Sequence, residues 1–567
     1  MSGFSKKLTI GLAAAALVLV SMSGAQARPV DDTALSALAG AEWLHSNGSW
    51  DGTRYSTLTQ LNPCNAMNLK VKWIAGLGGT TNVQATPLMH DGIIFIPQDN
   101  KVMAYDARTG DAVWKYETEM PEDWGGQFID FFTGKHRGVG IAGNNIYFLS
   151  NECAIHAIDY KTGEQVFRFK LDRPYPKDFE KSSDGNGYFC TAGPLNIPGK
   201  LIVPTNATDS GGLQGYVQAH DLSNGKRLWA ANMIPGPGEP GADTWPGDSR
   251  IYGGAGPWII GSWDPDLKYY FTGTANAYPW NPYTERDGRG AGNMSNDGAA
   301  AIVAVNTDTG KVPWRYTVVP GDPWDYDVMQ VPMLMTIKGK LTIIHPNKTC
   351  YIHYLDAKTG RYLMAPPFCD KITWAKGYDR QGVPIWDFPI PEEGKEIELW
   401  PSLLGGTNMY PNAINHKTRM MYLATREVAM SWVFEKVQIV SNVRNLGVAF
   451  EVLPGGKEIE RAMRLDTGEE VWRIETEKAG YSGGMLTTAG NLTIYATRGG
   501  EIVVVNATNG QIVFQLDTNT GSFSGPITYM SDGKQQITFA LGGLPAFGSS
   551  PDDWQVSDGS MLVTLGL

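Results

Sequence analysis

The chain has 567 residues and a formal net charge of −11, with 47 Lys and Arg against 58 Asp and Glu. An acidic chain without runs of Lys or Arg is a poor match for nucleic acid or an anionic lipid surface, so neither partner is expected. The length suffices for several ordinary domains or for one large repeat structure.

The first residues are typical of a secretory signal peptide. Lys6 and Lys7 give a positive start, residues 8–20 form an apolar core, and Ala25-Gln26-Ala27 is a small-x-small cleavage site. The apolar run is short for a membrane span and no stop-transfer segment follows it, although a retained N-terminal anchor is the alternative. We expect removal of residues 1–27 and a single periplasmic domain over residues 28–567, with no membrane span after cleavage.

Strand-like runs of four to eight residues recur along the rest of the chain and are bounded by Gly, Asn or Asp, as in antiparallel hairpins. Examples are Ile93-Ile94-Phe95-Ile96, Ile146-Tyr147-Phe148-Leu149, Met421-Tyr422-Leu423 and Ile502-Val503-Val504-Val505.

A turn repeats with an aromatic residue or Met at a fixed offset. Its clear copies are Asp106-Ala-Arg-Thr109-Gly110 before Trp114, Asp159-Tyr-Lys-Thr162-Gly163 before Phe167, Asp221-Leu-Ser-Asn224-Gly225 before Trp229, Asn306-Thr-Asp-Thr309-Gly310 before Trp314, Asp356-Ala-Lys-Thr359-Gly360 before Met364, Asp466-Thr467-Gly468 before Trp472, and Asn506-Ala-Thr-Asn509-Gly510 before Phe514. A weaker copy, Asn415-His-Lys-Thr418, precedes Met421.

The repeat has a physical reason. The Asp or Asn side chain closes the turn and Gly accepts a positive φ, which places the following aromatic residue on the next strand, where it can pack between neighbouring units. Spacings of about 40–85 residues fit radial blades better than a solenoid. An isolated copy would mark an ordinary hairpin, but the series predicts an all-β, eight-bladed β-propeller with tryptophan-docking-type repeats.

Five cysteines fit an oxidising compartment, with at least one left unpaired. Cys350 and Cys369 are close enough in sequence to bridge, as are Cys153 and Cys190, and free buried thiols are the alternative. No Cys-x-x-Cys-His occurs, so the sequence carries no site for covalent haem attachment.

The order and spacing of several segments resemble those of the pyrroloquinoline-quinone (PQQ) dependent alcohol dehydrogenases. The segments are Ala85-Thr-Pro-Leu88, His136-Arg137-Gly138, Trp245-Pro-Gly-Asp248, Gly253-Gly-Ala-Gly-Pro-Trp258, Gly273-Thr-Ala-Asn276-Ala-Tyr-Pro-Trp280-Asn281, Trp324-Asp-Tyr-Asp327, His345-Pro-Asn-Lys348, Gly405-Gly-Thr-Asn408 and Gly483-Gly484. The resemblance covers essentially the whole mature chain.

The resemblance implies PQQ lying over a Trp floor beside Ca²⁺ or a lanthanide. Trp258 would stack on the flat cofactor, and Arg137 and Lys348 would meet its carboxylates or quinone oxygens. Thr191, Asn408 and Tyr481 would add neutral hydrogen bonds. Gln84 stands where the family usually has Glu. The alternative for Trp258 is a core residue packed between blades, and the alternative for Arg137 and Lys348 is a surface salt bridge.

The implied metal site departs from the family pattern. Asn276 matches the carbonyl ligand, as suits a hard cation. The carboxylate ligand is expected in Ala207-Thr208-Asp209, where the segment is one residue longer than in the family and Asp209 is shorter than Glu. An Asx-turn residue is the alternative reading of Asp209.

The position of the catalytic base is ambiguous. Counting back without gaps from Asn306 places Ser295 where the family has its Asp, whereas a two-residue deletion places Asp297 there. Serine is no base at neutral pH without help, so we favour Asp297 as base and further metal ligand, with Asp287 in reserve. A second departure is Phe131-Phe132, where many members have adjacent cysteines.

The leading hypothesis is a periplasmic dehydrogenase that oxidises an alcohol and passes electrons to a separate soluble acceptor such as cytochrome c. A homodimer of this chain is a compatible assembly. A cofactor-free propeller that acts as a binding or scaffold protein is the first alternative. The second is a PQQ protein without ordinary alcohol activity.

Overall fold

A computed structural model describes residues 28–78, 82–119, 135–171, 189–205, 213–246, 249–281, 295–387, 392–435, 446–476, 483–542 and 559–567. Strands dominate these ranges, which contain two short α-helices, α1 (Asp32–Ser36) and α2 (Ser249–Tyr252), and two 3₁₀ turns, Ala66–Asn68 and Ala242–Thr244. None of the helices in these ranges is long and apolar enough to cross a membrane. The expected signal peptide lies outside them.

Antiparallel sheets of four consecutive strands follow one another along the chain. The first three are β3 (Leu88–His90), β4 (Ile93–Gln98), β5 (Lys101–Asp106) and β6 (Ala112–Glu117); β7 (Gly140–Ala142), β8 (Asn145–Leu149), β9 (Ala154–Asp159) and β10 (Gln165–Lys170); and β11 (Leu195–Ile197), β12 (Lys200–Pro204), β13 (Tyr216–Asp221) and β14 (Arg227–Asn232). The next two are β15 (Ser262–Asp264), β16 (Tyr269–Gly273), β17 (Ala301–Asn306) and β18 (Trp314–Thr317); and β19 (Met333–Ile337), β20 (Lys340–Pro346), β21 (Ile352–Asp356) and β22 (Tyr362–Met364).

The remaining large sheets include strands from distant parts of the chain. One is β26 (Ala413–Asn415), β27 (Met420–Glu427), β30 (Lys457–Arg464) and β31 (Glu470–Thr476), and the next is β32 (Leu486–Thr488), β33 (Leu492–Ala496), β34 (Glu501–Asn506) and β35 (Ile512–Asp517), to which β1 (Tyr55–Ser56) adds a parallel edge. The last is β36 (Ile527–Ser531), β37 (Lys534–Leu541), β38 (Met561–Gly566) and β2 (Lys70–Gly76). Because β2 pairs with β38, the two ends of the described chain close one sheet.

Two smaller sheets are inserted between the large ones. The first is the hairpin β23 (Ala375–Tyr378) and β24 (Pro384–Trp386); the second is β25 (Glu396–Leu399), β28 (Met430–Phe434) and β29 (Val448–Val452). The predicted strand runs are confirmed, since they lie in β4, β8, β27 and β34.

Residues 41–56 form one segment that contacts the first strands of most of the large sheets. Their backbone and side chains bond to the first strands of seven of the eight large sheets, all but the sheet of β7–β10. The contacts are Ala41 to Met530, Trp43 to Met89, Trp50 to Asn196 and to Trp263, Asp51 to Leu334, Thr53 to Ile414, and Arg54 to Thr487. The segment therefore meets the sheets in chain order around one axis, and the buried apolar core surrounds it.

The repeated turn lies between the third and fourth strands and has the predicted geometry. In its first copy the Asp106 carboxylate accepts hydrogen bonds from the peptide N–H groups of Arg108 and Thr109, and Gly110 has a φ of +78°. A Cβ on Gly163 would lie 2.7 Å from the ring of Trp114, whose Nε1 donates to the Tyr160 carbonyl at 2.9 Å. The turn of one sheet thus packs under the aromatic residue of the preceding sheet.

The weaker turn copy at Asn415 was wrongly counted with the others. It joins β26 to β27, the first and second strands of its sheet, rather than the third and fourth. The last sheet needs no third-to-fourth turn, because its fourth strand is β2 from the N-terminal part of the chain. Both cysteine pairs allowed by the sequence are bridged, Cys153–Cys190 and Cys350–Cys369, and Cys64 is free and exposed.

Candidate cofactor site

Three residues predicted to bind the cofactor converge at one end of the central channel. Arg137, Thr191 and Trp258 each lie just before the first strand of a sheet, β7, β11 and β15 respectively. Because these strands run in the same sense beside the central segment, the positions before them meet at the same end.

The Arg137 guanidinium is held by neutral groups. It donates to the Thr191 hydroxyl, to the Trp258 carbonyl at 3.1 Å and to the sulfur of Met409 at 3.2 Å. Burial lowers the pKa of Arg137 to about 9, so the group is still a cation at neutral pH. Arg137 is half-buried, and no carboxylate in the described part of the chain forms an ion pair with it.

Trp258 is half-buried and rests on an apolar layer. Ile259, Met329 and Val331 form a buried cluster against which Trp258 and Met409 pack. The guanidinium carbon of Arg137 lies 4.7 Å from the ring centroid, within cation–π range. The Trp258 Nε1 donates to the Asp327 carboxylate at 3.2 Å, which fixes the ring about its axis.

Lys348, by contrast, is buried and paired. Lys348 follows β20. Its ammonium group donates to the Asp325 carbonyl at 2.8 Å and to the carboxylates of Asp325 and Asp327 at 3.3 and 3.2 Å. Gly405 allows this burial, because a Cβ there, at φ +77°, would lie 2.5 Å from the Lys348 Cα. The Gly405-Gly406 segment is thus the surface against which Lys348 packs.

Asn276 follows β16 with its backbone held in place. Its peptide N–H donates to the Asp327 carboxylate at 2.8 Å and its Nδ2 to the Ala277 carbonyl at 3.1 Å. The Asn276 Oδ1 is buried and lacks a hydrogen-bond partner. A buried amide oxygen without a donor is what a hard cation such as Ca²⁺ would satisfy. Within the described ranges, no three His, Cys, Asp or Glu side chains form a metal-ligand cluster.

Two other predicted cofactor residues are bonded within their own segments. The Gln84 Nε2 donates to Asn82 at 2.9 Å, while its Oε1 is buried without a hydrogen-bond partner. The Asn408 side chain donates to the Leu404 carbonyl at 3.3 Å and accepts from the Met409 N–H at 2.7 Å. Asp209 and Tyr481 lie outside the described residues, so their roles stay predictions.

Asp297 has a different set of contacts. Its carboxylate accepts from the hydroxyls of Ser295 and of Thr317, the latter at 3.4 Å, and its peptide N–H donates to Thr244 at 2.9 Å. The Asp327 hydrogen bonds that link Trp258, Asn276 and Lys348 do not extend to it. The assignment as base therefore stays a prediction, and the competing Asp287, like Phe131-Phe132, falls outside the described ranges.

An aromatic cover lies against the segment that follows Asn276. The ring of Trp280 stacks on that of Trp432 in β28 with centroids 6.1 Å apart, and Trp432 in turn meets Trp324 edge to face at 6.2 Å. The Asn281 N–H donates to the Leu446 carbonyl at 3.2 Å. These contacts join the small sheet of β25, β28 and β29 to this end of the channel.

Sequence reasoning missed two residues of the site. Met409 receives the Arg137 Nε–H, and Asp327 accepts from Trp258, Asn276 and Lys348. The signal for Asp327 was present in the Trp324-Asp-Tyr-Asp327 segment, which carried the resemblance but received no role.

The comparisons with known proteins agree with this geometry. The family model described as "Glucose/ethanol/alcohol dehydrogenase, beta-propeller domain" matches residues 43–365, and a model described as "Outer membrane protein assembly factor BamB" matches residues 456–536. The quinoprotein alcohol dehydrogenase PedH of Pseudomonas putida is 30% identical over 87% of this chain and 84% of its own length.

Solved structures of alcohol dehydrogenases are also similar to this chain. The quinohemoprotein alcohol dehydrogenase of Comamonas testosteroni superposes with a TM-score of 0.83 at 27% identity, over 95% of this chain and 82% of that one. A europium-containing methanol dehydrogenase shares the fold, with a TM-score of 0.81 at 24% identity over 93% of this chain and 98% of that one. The chain described here belongs to the family of PQQ-dependent alcohol dehydrogenases, oxidoreductases that act on CH–OH groups.

Proposed function

We propose that this protein oxidises an alcohol in the periplasm with PQQ bound over Trp258, uses Ca²⁺ at Asn276, and passes electrons to a separate soluble acceptor such as cytochrome c. The observation that carries the proposal is the Arg137 guanidinium. It is half-buried, rests on an aromatic ring, and has only neutral hydrogen-bond acceptors in the described part of the chain. A planar tricarboxylate would supply both the missing anion and a flat surface for Trp258.

The residues present fit the metal as well. The orphaned Asn276 Oδ1 is a neutral oxygen donor in a buried position. In this proposal Asp209 adds a negative charge, as expected for a divalent cation with oxygen ligands. The Asp327 bond to the Asn276 N–H keeps this backbone in place before any metal arrives.

When bound, PQQ supplies an electrophilic quinone that accepts the two electrons of the alcohol. The chain's own part is positioning and charge. Asp325 and Asp327 hold the Lys348 ammonium group in a fixed position, from which it would donate a hydrogen bond to the bound quinone. Asp297 takes the hydroxyl proton at its carboxylate, and the aromatic cover around Trp280 and Trp432 limits access of water.

The larger sheets would then be the eight blades of one propeller, docked through the aromatic residues of the repeated turns. The order in which residues 41–56 contact the first strands supports this arrangement. The export signal over residues 1–27 supports the periplasmic location. The sequence lacks Cys-x-x-Cys-His, which favours an acceptor outside this chain.

The test is to load the purified protein with PQQ and Ca²⁺, or PQQ and La³⁺, and to measure bound quinone absorbance and alcohol-dependent dye reduction. Arg137→Gln should weaken PQQ binding about 10- to 100-fold, the usual worth of charge-assisted hydrogen bonds. Arg361→Gln, at an exposed turn position, is the matched control and should bind normally. The proposal would be overturned if the wild-type protein bound PQQ neither with Ca²⁺ nor with La³⁺.

A further inference from the structure

Asp327 is the one described side chain that contacts Trp258, Asn276 and Lys348 together. Its Oδ1 accepts from the Asn276 peptide N–H at 2.8 Å, and its Oδ2 accepts from the Trp258 Nε1 and the Lys348 Nζ, both at 3.2 Å. The side chain is 4% exposed. A carboxylate so buried is satisfied by specific donors rather than by water.

The three donors belong to separate segments. Trp258 precedes β15 and Asn276 follows β16, while Lys348 follows β20 in the next sheet. Backbone hydrogen bonds already pair the segments of Trp258 and Asn276, since the Ala255 N–H donates to the Asn276 carbonyl at 3.0 Å and the Ala275 N–H to the Gly256 carbonyl at 3.1 Å. Lys348 lies in the next sheet, and the Asp327 carboxylate, 51 positions from Asn276 and 21 from Lys348, joins the Lys348 ammonium group to that pair. A buried carboxylate that bonds to all three fixes their relative positions.

Each bond constrains a different group. The bond to Nε1 fixes the rotation of the Trp258 ring, and the bond to the peptide N–H fixes the backbone from which the orphaned Asn276 Oδ1 projects. The ion pair holds the Lys348 ammonium group, while the start of the same side chain packs against Gly405. Groups that must act together on one ligand gain most from this kind of support.

We propose that Asp327 is the positioning residue of the cofactor site, which sets the Trp258 ring, the Asn276 amide and the Lys348 ammonium in one arrangement before cofactor or metal binds. The inference rests on the proposed function for the identity of the ligands. It adds a role for a residue that would touch neither substrate nor reacting atoms and acts through its three donors.

Asp325 provides a matched comparison in the same segment. It also binds Lys348, through its carboxylate at 3.3 Å and its carbonyl at 2.8 Å. Asp325→Asn therefore removes one negative charge from Lys348 without removing the Asp327 bonds to Trp258 and Asn276. Its φ of +56° is one that Asn tolerates well.

Asp327→Asn keeps the volume but turns an amide NH₂ toward groups that are themselves donors. We expect the affinities for both PQQ and Ca²⁺ to fall about 10- to 100-fold, from titration of the apoprotein and chelator competition, since misplacement of about 1 Å costs this much or more. Asp325→Asn should leave the Ca²⁺ affinity near that of the wild type. The losses of Asp327→Asn and Asn276→Ala in Ca²⁺ affinity should not add.

Crystal structures of the two variants without cofactor give a readout that does not depend on PQQ. Asp327→Asn should displace the Trp258 ring and the Asn276 amide, and Asp325→Asn should not. If Asp327→Asn does not fold, Asp327→Glu keeps the charge, displaces the oxygens by one methylene, and should show the same displacement. An unmoved ring with wild-type affinities would overturn the inference, as would equal effects of Asp325→Asn and Asp327→Asn.

Discussion

The guanidinium of Arg137 lies over the ring of Trp258, 4.7 Å from its centroid, and also donates to the backbone carbonyl of the same residue at 3.1 Å. The cation and the aromatic surface are therefore one unit. The Arg137 side chain is positioned by the residue that is predicted to carry the cofactor, so a change at Trp258 alters the flat surface and the charge beside it together.

Trp258→Ala should abolish PQQ binding while the fold is retained. The ring packs on Ile259, Met329 and Val331 and is only half-buried, so the loss is mainly that of a ligand surface. Trp258→Phe keeps a flat ring but loses the bond to Asp327, and we expect weaker but measurable binding. Equilibrium dialysis with PQQ and a thermal melt of each apoprotein would check this. Stoichiometric quinone in Trp258→Ala would contradict the floor assignment.

Dye-linked alcohol oxidation should be higher with Ca²⁺ than with La³⁺. The resemblance to the family implies that members using a lanthanide carry an additional Asp two residues beyond the base. With Asp297 as the base, Ala299 occupies that position. Fewer carboxylates suit a doubly charged ion better than a triply charged one. Activity of the apoprotein reconstituted with each metal in parallel is the measurement. Higher activity with La³⁺ would favour the alignment in which Ser295 holds the base position and Asp297 is the additional carboxylate.

Asp297→Asn should bind PQQ normally and lose about 10²–10⁴ in turnover, the usual worth of a positioned base. The amide keeps the volume and an oxygen for the hydroxyls of Ser295 and Thr317, so the local structure should survive. Asp287→Asn should do little, because Asp287 is only the reserve assignment for the base. Single-turnover rates of both variants would separate the two. Wild-type turnover in Asp297→Asn with collapse in Asp287→Asn would reverse the assignment.

The repeated turns were predictable because their geometry is local. Asp106 needs only the N–H groups two and three residues ahead, and Gly110 only its own positive φ. Arg137, Thr191 and Trp258 were predicted from the resemblance to the family instead, and the structure brings them together before the first strands of three sheets. The fourth strand of the last sheet was not predictable in this way, because β2 pairs with β38 across nearly the whole chain.

The role of Asp297 stays a prediction because the geometry of its loop does not follow from the sequence. Assigning its side chain by strand parity presumes regular alternation up to β17. Asn296, Gly298 and Ala300 all have positive φ, at 50°, 93° and 42°, so the alternation is broken on both sides of Asp297. Asp327 was missed for another reason: its partners are distant in sequence, and nothing in the pattern of a short Trp-Asp-Tyr-Asp segment indicates which donors it meets.

Acid should destabilise the fold through histidines that are buried in the neutral form. Burial is the main cause that lowers the pKa of His45, His156 and His345 to about 4 and of His136 to about 3, and that places the pKa of His353 well below its usual value. In the unfolded chain these groups titrate near 6.5. The unfolded state therefore binds more protons below about pH 6.5, and the free energy of unfolding should fall by up to about 1.4 kcal/mol per pH unit for each histidine.

Urea unfolding between pH 5 and pH 7.5 would measure this slope. Carboxylates also contribute to the pH dependence of the free energy of unfolding. The informative quantity is therefore the difference in that slope between the wild type and a histidine variant. His136→Gln retains an acceptor for the Asn100 N–H, which now donates to Nε2 at 3.1 Å, and should reduce the slope by about one proton. Equal slopes in the wild type and His136→Gln would mean that this histidine is protonated in the folded state.

Gly163→Ala should destabilise the protein more than Gly199→Ala. Both glycines lie in turns with nearly the same left-handed backbone, φ +76° and +69°, so the conformational cost of Ala, about 1–2 kcal/mol, is shared. Only at Gly163 does the added Cβ meet another group, the Trp114 ring at 2.7 Å, whereas a Cβ on Gly199 has open space within 4 Å. Overpacking should add about 1–3 kcal/mol at Gly163.

Denaturant midpoints of the two variants give the difference directly. Replacing Trp114 by Val in the Gly163→Ala background makes room for the methyl group, so the double variant should be more stable than the sum of the single effects. Trp114 also donates to the Tyr160 carbonyl in the same turn, so its loss carries its own cost and the single Trp114→Val variant is required. Equal losses for Gly163→Ala and Gly199→Ala would show that the ring moves aside at no cost. The recurring glycine would then be explained by the backbone of the turn alone, and the packing of one sheet on the next would have to depend on other contacts.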